Sequence, residues 1–173
     1  MSRFGTDYHV GRATGRCEAT GEALEAGSTC MATLCERAGD EGFDRRDFSL
    51  SAWDGGARPE GLFSFWKTVV PHPDARPSPL VDDSVLMDLF ERMAADERPG
   101  RIAFRFVLAL ILMRKKMLKF TGRQGQGADE YWLLQPRGSD PGLPPMAVKN
   151  PNLSDDDVRE LIEQLSEILQ SEL

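Results

Sequence analysis

Four prolines in nine positions impose the strongest constraint on how this chain can fold. They lie in the segment 71–79, Pro-His-Pro-Asp-Ala-Arg-Pro-Ser-Pro. Because proline fixes the φ angle and removes a backbone donor, this segment cannot be helical and favours an extended connector. We therefore predict a β-rich module over 1–70, the connector over 71–79 and a helical part over 80–173.

The first part has the pattern of short strands joined by turns. Ser28–Glu36 and Gly42–Phe48 are strand-like, and the turn sequence Ala-Gly-Asp-Glu lies between them. Such a pattern predicts a hairpin. Leu62–Val70, an aromatic and β-branched run, is predicted to be a third strand.

The second part opens with a strong helix signal. Asp82 is a predicted N-cap, and Val81 with Leu86 forms a predicted hydrophobic staple. We expect a helix over roughly 83–97, which ends at Pro99-Gly100. The element that follows, 101–120, has almost no polar face and is predicted to be a buried helix, since its unbroken apolar run is far shorter than the ~20 residues of a membrane span.

Two further elements complete the helical part. Met117–Thr121 and Glu130–Leu134 flank a glycine-rich segment and predict a second hairpin. A last helix is predicted from Ser154, which is the N-cap, with Asp157 at the third helical position. The fold class is therefore α+β: a small ribbon-like antiparallel β module followed by a helical part with a β-hairpin.

Two short motifs resemble the knuckles of a zinc ribbon. Cys17-x-x-Thr20-Gly21 stands where such a knuckle reads Cys-x-x-Cys-Gly, and Ser49-x-x-Ala52 precedes a large residue as the second knuckle does. A structural zinc site needs four ligands, usually as two close pairs of thiolates or imidazoles. Because one of four thiols remains, we expect no metal and no other cofactor.

A rearranged metal site is the alternative at these knuckles. His9, Cys30 and Cys35 are the side chains that would have to join Cys17 in it. The spacing of five residues places Cys30 and Cys35 on opposite faces of the predicted strand.

Without metal, the first part must be held by packing of its aromatic residues. Phe63 and Phe65 are expected on one face of the third strand, and Trp66 with Ser64 on the other. These residues serve either the core or a recognition surface. The residues considered for partner binding here are Trp53, Phe63, Phe65 and Trp66.

Charge is distributed unevenly along the second part. The segment 101–123 has seven basic residues and no acidic one, whereas 154–173 has seven acidic residues and a single arginine. We expect the two segments to neutralise each other within the chain or between subunits. The alternative is phosphate binding by the basic segment, through Arg114, Lys115, Lys116, Lys119 and Arg123.

The apolar stripe of the last helix must also be buried somewhere. Packing within the chain is one interpretation, and binding of another protein or of a second copy is the other. The residues that would make such a contact are Leu161, Leu165 and Ile168.

Catalytic motifs are missing from the sequence. It contains no Gly-x-Ser-x-Gly, His-Glu-x-x-His or phosphate-loop pattern, and neither of its two histidines has a neighbouring nucleophile. We therefore expect a protein that is not an enzyme. A start without an apolar signal region and an odd number of cysteines favour the cytoplasm, and no membrane association is expected.

The first knuckle occurs in this chain together with Gly27, Arg46-Asp47, Trp53, Phe63-x-Phe65-Trp66 and the apolar helix that ends at Lys116. As a set, these features resemble a family of uncharacterised bacterial proteins of the planctomycete type with a degenerate N-terminal ribbon. The resemblance implies a fold pattern but no catalytic activity. The function expected from the sequence is protein interaction or regulation through an unidentified partner or self-association; nucleic-acid binding by 101–123 is the alternative.

Overall fold

The fold is α+β, with four helices and two antiparallel three-stranded sheets in the part of the chain that the structure describes. The computed structural model describes residues 14–39, 41–72 and 82–169, with side chains up to 166 in the last helix. These residues form two compact units. The first contains the described residues up to 72 and residues 164–169, and the second is Asp82–Glu163. The predicted connector lies largely outside the described residues.

The first unit is built on the predicted hairpin and third strand. Strands β1 (Thr29–Glu36), β2 (Phe43–Ser49) and β3 (Leu62–Val69) form an antiparallel sheet in the order β2-β1-β3. This confirms the three strands expected from the sequence. The central strand β1 has six consecutive buried residues, so both of its faces are covered.

A bulge in β3 overturns one expectation about its faces. The register between β1 and β3 shifts where Leu34 pairs with Ser64 and Cys35 pairs with Leu62, leaving Phe63 as the extra residue. Such a bulge turns the extra side chain toward the face of its neighbour. The ring of Phe63 accordingly packs against Phe43, with centroids 4.9 Å apart. The prediction that Phe63 and Phe65 share a face was therefore wrong.

A short helix, α1 (Leu50–Asp54), follows β2 directly and was not predicted. The Ser49 side chain caps it by accepting a hydrogen bond from the amide of Ala52. At the start of the described chain, Arg16 and Ala23 pair as an isolated antiparallel bridge around the first knuckle. Both knuckle motifs therefore lie in tight turns.

The second unit begins with α2 (Asp83–Arg92) and α3 (Pro99–Arg114). The Asp82 side chain caps α2 as predicted, but this helix ends about one turn earlier than expected. Val81 of the predicted staple lies outside the described residues. Pro99 and Gly100 begin α3, since proline is well tolerated in the first helical turn. The predicted buried helix is confirmed, although it ends at Arg114.

The second sheet contains the predicted second hairpin and one further strand. Strands β4 (Leu118–Gln124), β5 (Tyr131–Pro136) and β6 (Met146–Lys149) are antiparallel in the order β4-β5-β6. Leu118, Leu134 and Val148 are buried, one from each strand, and α3 contacts both β4 and β6. Strand β6 was not expected from the sequence.

The last helix, α4 (Asp155–Leu169), has the predicted N-terminus. The Ser154 hydroxyl accepts a hydrogen bond from the Asp157 amide, and the Asp157 carboxylate accepts from the Ser154 amide. This is a reciprocal capping box. Among the described residues, no helix is both long and apolar enough to cross a membrane.

Candidate functional site

The two ribbon-like knuckles come together in the first unit. The backbone amide of Ser49 donates to the sulfur of Cys17 over 3.3 Å, and the Cys17 sulfur lies 3.6 Å from the Ser49 hydroxyl oxygen. Thr20 also hydrogen-bonds to the Cys17 thiol. Ala52 packs against the apolar cluster that contains Cys17. We call Cys17, Thr20, Ser49 and Ala52 the knuckle cluster.

Local backbone geometry explains how these four residues meet. Gly21 has a φ angle of 72°, which is accessible to glycine without strain, and its amide donates to the Cys17 carbonyl over 2.8 Å. The amide of Cys17 donates to the carbonyl of Glu22, which closes the first turn. In the second turn, the Ser49 hydroxyl accepts from the Ala52 amide at 3.2 Å. The glycine after the first motif is thus required by its turn.

The donor set of the knuckle cluster does not fit a zinc ion. In a tetrahedral zinc–thiolate site with bonds of ~2.3 Å, neighbouring sulfurs lie about 3.8 Å apart. The 3.6 Å between the Cys17 sulfur and the Ser49 oxygen is close to that spacing. However, Thr20 and Ser49 offer hydroxyl oxygens and Ala52 offers no donor. The described residues include no group of three or more His, Cys, Asp or Glu side chains suited to a metal ion.

Hydrogen bonds take the place of ligand bonds at Cys17. Burial alone would raise the pKa of this thiol, but hydrogen bonds from Ser49 and Thr20 outweigh burial and lower the pKa to about 7. Burial, with a contribution from the Asp47 carboxylate, raises the pKa of Cys30 to about 11. Burial also raises the pKa of Cys35. Near neutral pH, therefore, Cys17 carries substantial thiolate character while the other two cysteines are protonated.

The predicted aromatic residues divide between interior and surface. Trp53 and Trp66 are buried, Phe63 is half-buried, and Phe65 is 50% exposed. Trp53 belongs to the core cluster with Cys17, Met31 and Phe48. Of the four aromatics considered for partner binding, Phe65 is thus the one with a large accessible surface.

Phe65 rests on a rigid support. Its ring centroid is 5.1 Å from that of Trp53, which in turn packs edge-on against Phe48 at 5.7 Å. The Arg58 guanidinium lies 3.7 Å from the Trp53 ring centroid and donates to the Trp53 carbonyl over 2.7 Å. Phe65 is therefore held in place by packing before any partner arrives.

The opposite face of the first sheet contains a buried ion pair that sequence reasoning missed. Arg45 and Asp47, two residues apart on β2, lie 2.9 Å apart with both side chains almost fully buried. The Arg45 guanidinium is 5.7 Å from the ring centroid of Trp66. The opposite charges of Arg45 and Asp47 were a signal, because residues two apart fall on one face of a strand.

In the last helix, Leu161 and Leu165 are buried, as expected of an apolar stripe. The side chain of Ile168 lies outside the described residues. Leu161 belongs to the second unit and Leu165 to the first.

The basic residues of the segment 101–123 differ in burial and in their partners. Arg101 and Arg105 are buried, and Arg105 donates to the carbonyls of Phe90 and Ala147. Lys115 pairs with Asp83 at 2.9 Å. Arg114, Lys116 and Lys119 are exposed.

Arg123 lies next to two aromatic rings on the second sheet. Its guanidinium is 5.9 Å from the ring centroid of Phe120 and 5.8 Å from that of Trp132. These two rings pack edge to face at 5.5 Å, and Trp132 also packs against Phe106 of α3 at 5.0 Å. Sequence reasoning did not predict that Trp132 lies beside Phe120 and Arg123, because this proximity depends on strand register.

Comparisons of the chain with protein-family models, with curated proteins and with solved structures give no match.

Proposed function

We propose that this protein is a non-enzymatic interaction module that binds an extended segment of a protein partner along strand β3. The observation that carries the proposal is Phe65, a large aromatic side chain that is 50% exposed and already fixed against Trp53. Val69, two positions beyond Lys67 on the same face of the strand, is 55% exposed. We call Phe65, Lys67 and Val69 the β3 surface.

Preorganisation makes Phe65 a suitable anchor. A few aromatic residues usually contribute most of the binding free energy at an interface. Ordering a free side chain costs about 0.5–1.5 kcal/mol, and this cost is smaller for a ring that the free protein already holds. Because Trp53 is itself fixed by Phe48 and Arg58, the anchor and its support form one rigid unit.

The position of β3 favours a partner in extended conformation. Within the described residues, β3 pairs with β1 alone and forms one edge of the sheet. An edge strand offers backbone donors and acceptors to an added strand, while side chains provide specificity. Lys67 lies between the two apolar residues, so the complementary segment has an acidic residue between two apolar ones.

The knuckle cluster supports this function as a scaffold. We interpret the first unit as a ribbon-like module in which hydrogen bonds and packing replace the metal, in line with its resemblance to proteins with a degenerate ribbon. Three free, buried cysteines suit a reducing compartment, so we propose that the protein works in the cytoplasm.

A matched pair of variants tests the proposal. Tagged protein with Phe65→Ser is compared with Leu143→Ser, because Leu143 is apolar and 57% exposed but lies outside the β3 surface. Partners are recovered by affinity purification with nuclease treatment, and folding of each variant is checked by circular dichroism. We expect Phe65→Ser to lose a protein partner that both the wild type and Leu143→Ser retain. Equal retention by both variants would contradict the proposal.

A further inference from the structure

The second sheet carries positive charge in a protein that is negative overall. Residues 114–149, which include all three strands, contain seven basic and three acidic residues, a net charge of +4. The whole chain has a net charge of -7, which leaves -11 for the remainder. A local charge of opposite sign favours an anionic partner at this sheet.

Strand β4 displays this charge at the sheet edge. It pairs with β5 alone within the described residues, and Lys119, Phe120, Thr121 and Arg123 are all exposed. Arg114 and Lys116, just before the strand, are exposed as well. Four accessible cations therefore lie on or just before the strand that carries the accessible ring of Phe120, and Arg123 is the one beside that ring.

The ring of Phe120 is held in position and remains accessible. It is 41% exposed, although it packs edge to face against Trp132, which is supported in turn by Phe106. The Arg123 guanidinium lies within cation–π distance of the rings of Phe120 and Trp132. A fixed, accessible aromatic ring beside cations is the arrangement on which unpaired bases stack while the cations contact phosphates.

The existing ion pair of Arg123 does not prevent such a role. Arg123 lies 3.9 Å from Glu130, at the limit of an ion pair, and its side chain is 61% exposed. Exposed pairs contribute only about 0–1 kcal/mol. Glu130 has other partners, because its carboxylate accepts hydrogen bonds from the Trp132 indole and the Asn150 amide. Arg123 is thus available to exchange its carboxylate for a phosphate.

We propose that single-stranded nucleic acid binds along the outer side of β4, with a base stacked on Phe120 and phosphates contacted by Arg114, Lys116, Lys119 and Arg123. Single strands fit better than duplex, since stacking on Phe120 requires an unpaired base. This proposal is independent of the interaction proposed for β3.

The test is fluorescence anisotropy of labelled 12-nucleotide oligo-U and oligo-dT against the full-length protein at several salt concentrations. With four phosphate contacts, log K is expected to fall with log salt at a slope of about -3. Lys119→Gln should make that slope less steep by about 0.7. Arg159→Gln, which removes an exposed arginine from α4, is the control and should change neither affinity nor slope. Comparison of the two oligonucleotides distinguishes RNA from DNA as the preferred ligand.

Stacking is tested separately from charge. Phe120→Leu keeps an apolar side chain against Trp132 and should weaken binding by about 5-fold or more while leaving the salt slope unchanged. A thermal melt of this variant shows whether the sheet remains folded, and Lys119→Gln provides the test if it does not. The proposal is overturned if neither oligonucleotide binds at low salt. It is also overturned if Arg159→Gln weakens binding as much as Lys119→Gln, or if duplex DNA or heparin binds as tightly as the single strands.

Discussion

The two sheets have the same number of strands but use their polar residues in opposite ways. In the first, six consecutive residues of β1 are buried, and the charged side chains of Arg45 and Asp47 pair in the interior. In the second, Leu118 is the only fully buried residue of β4, and the strand's charges face solvent. Charged side chains are thus paired in the interior of the first sheet, whereas on β4 they are exposed to solvent.

This difference is clearest at the knuckle cluster. In this cluster, amide and hydroxyl groups surround the single thiol of Cys17. The second unit does not depend on a cluster of polar contacts of this kind, because the long apolar helix α3 packs against its sheet. The first unit should therefore be sensitive to loss of individual polar contacts.

The largest expected effect comes from breaking the buried pair of the first sheet. Asp47→Ala leaves the Arg45 guanidinium buried without its carboxylate and should lower the free energy of unfolding by about 3–5 kcal/mol. Asp44→Ala is the control, since Asp44 forms a partly exposed pair with Arg37 and should cost only about 0–1 kcal/mol. Urea denaturation measures both. If the two variants lose a similar free energy of unfolding, the buried Arg45–Asp47 pair matters no more to stability than the partly exposed Arg37–Asp44 pair.

The pH dependence of stability probes the Cys17 thiol. Its pKa falls from about 9 in the unfolded chain to about 7 in the folded one, so the unfolded chain binds more protons between these values. Stability should therefore rise from pH 7 to 9, by about 2–3 kcal/mol, and be lost as the pH falls through 7.

Cysteine variants assign this rise to one thiol. In urea denaturation from pH 6 to 9, Cys17→Ser should abolish the rise in the free energy of unfolding with pH. Cys30→Ser should keep it, because the pKa of Cys30 is raised to about 11 and its titration destabilises the fold only above pH 9. If Cys17→Ser retains the full rise, the hydrogen bonds at Cys17 do not stabilise its thiolate.

A smaller effect is expected at the tip of the β4–β5 hairpin. Gly125 has a φ angle of 78°, and a Cβ atom there would overlap the Asp129 carbonyl oxygen. Gly138 has a similar φ of 79°, but its Cβ would meet nothing within 4 Å. Gly138→Ala should cost about 1–2 kcal/mol from backbone strain alone, and Gly125→Ala somewhat more. Thermal unfolding compares the two, and equal losses would place the strain entirely in the backbone.

Much of the fold could be predicted from local sequence. The strand-like run Thr29–Glu36 and the capping residues Asp82 and Ser154 are local signals, so they predicted a strand and two helix starts correctly. Strand β6 could not be predicted, because its four residues become a strand only by pairing with β5. The bulge at Phe63 was missed for the same reason, since a bulge depends on the partner strand.

The sites were less predictable than the fold. The sequence pattern named Cys17 and Ser49 as knuckle positions, and in the structure the Ser49 amide donates to the Cys17 sulfur. A count of basic residues, by contrast, cannot tell that Arg105 is buried against backbone carbonyls while Arg123 stands beside Phe120. Those positions depend on packing between elements that are distant in sequence.

Cobalt binding tests most directly whether the four positions of the knuckle cluster have the geometry of a tetrahedral thiolate site. Thr20→Cys, Ser49→Cys and Ala52→Cys are combined in one variant, and Co²⁺ is titrated while the absorption of tetrahedral cobalt–thiolate is recorded. A second variant carries Ser51→Cys in place of Ala52→Cys and misplaces one thiol. We expect tetrahedral absorption at one cobalt per chain in the first variant, and none in the second or in the wild type. Absence of that absorption in the first variant would contradict the convergence of the knuckle cluster.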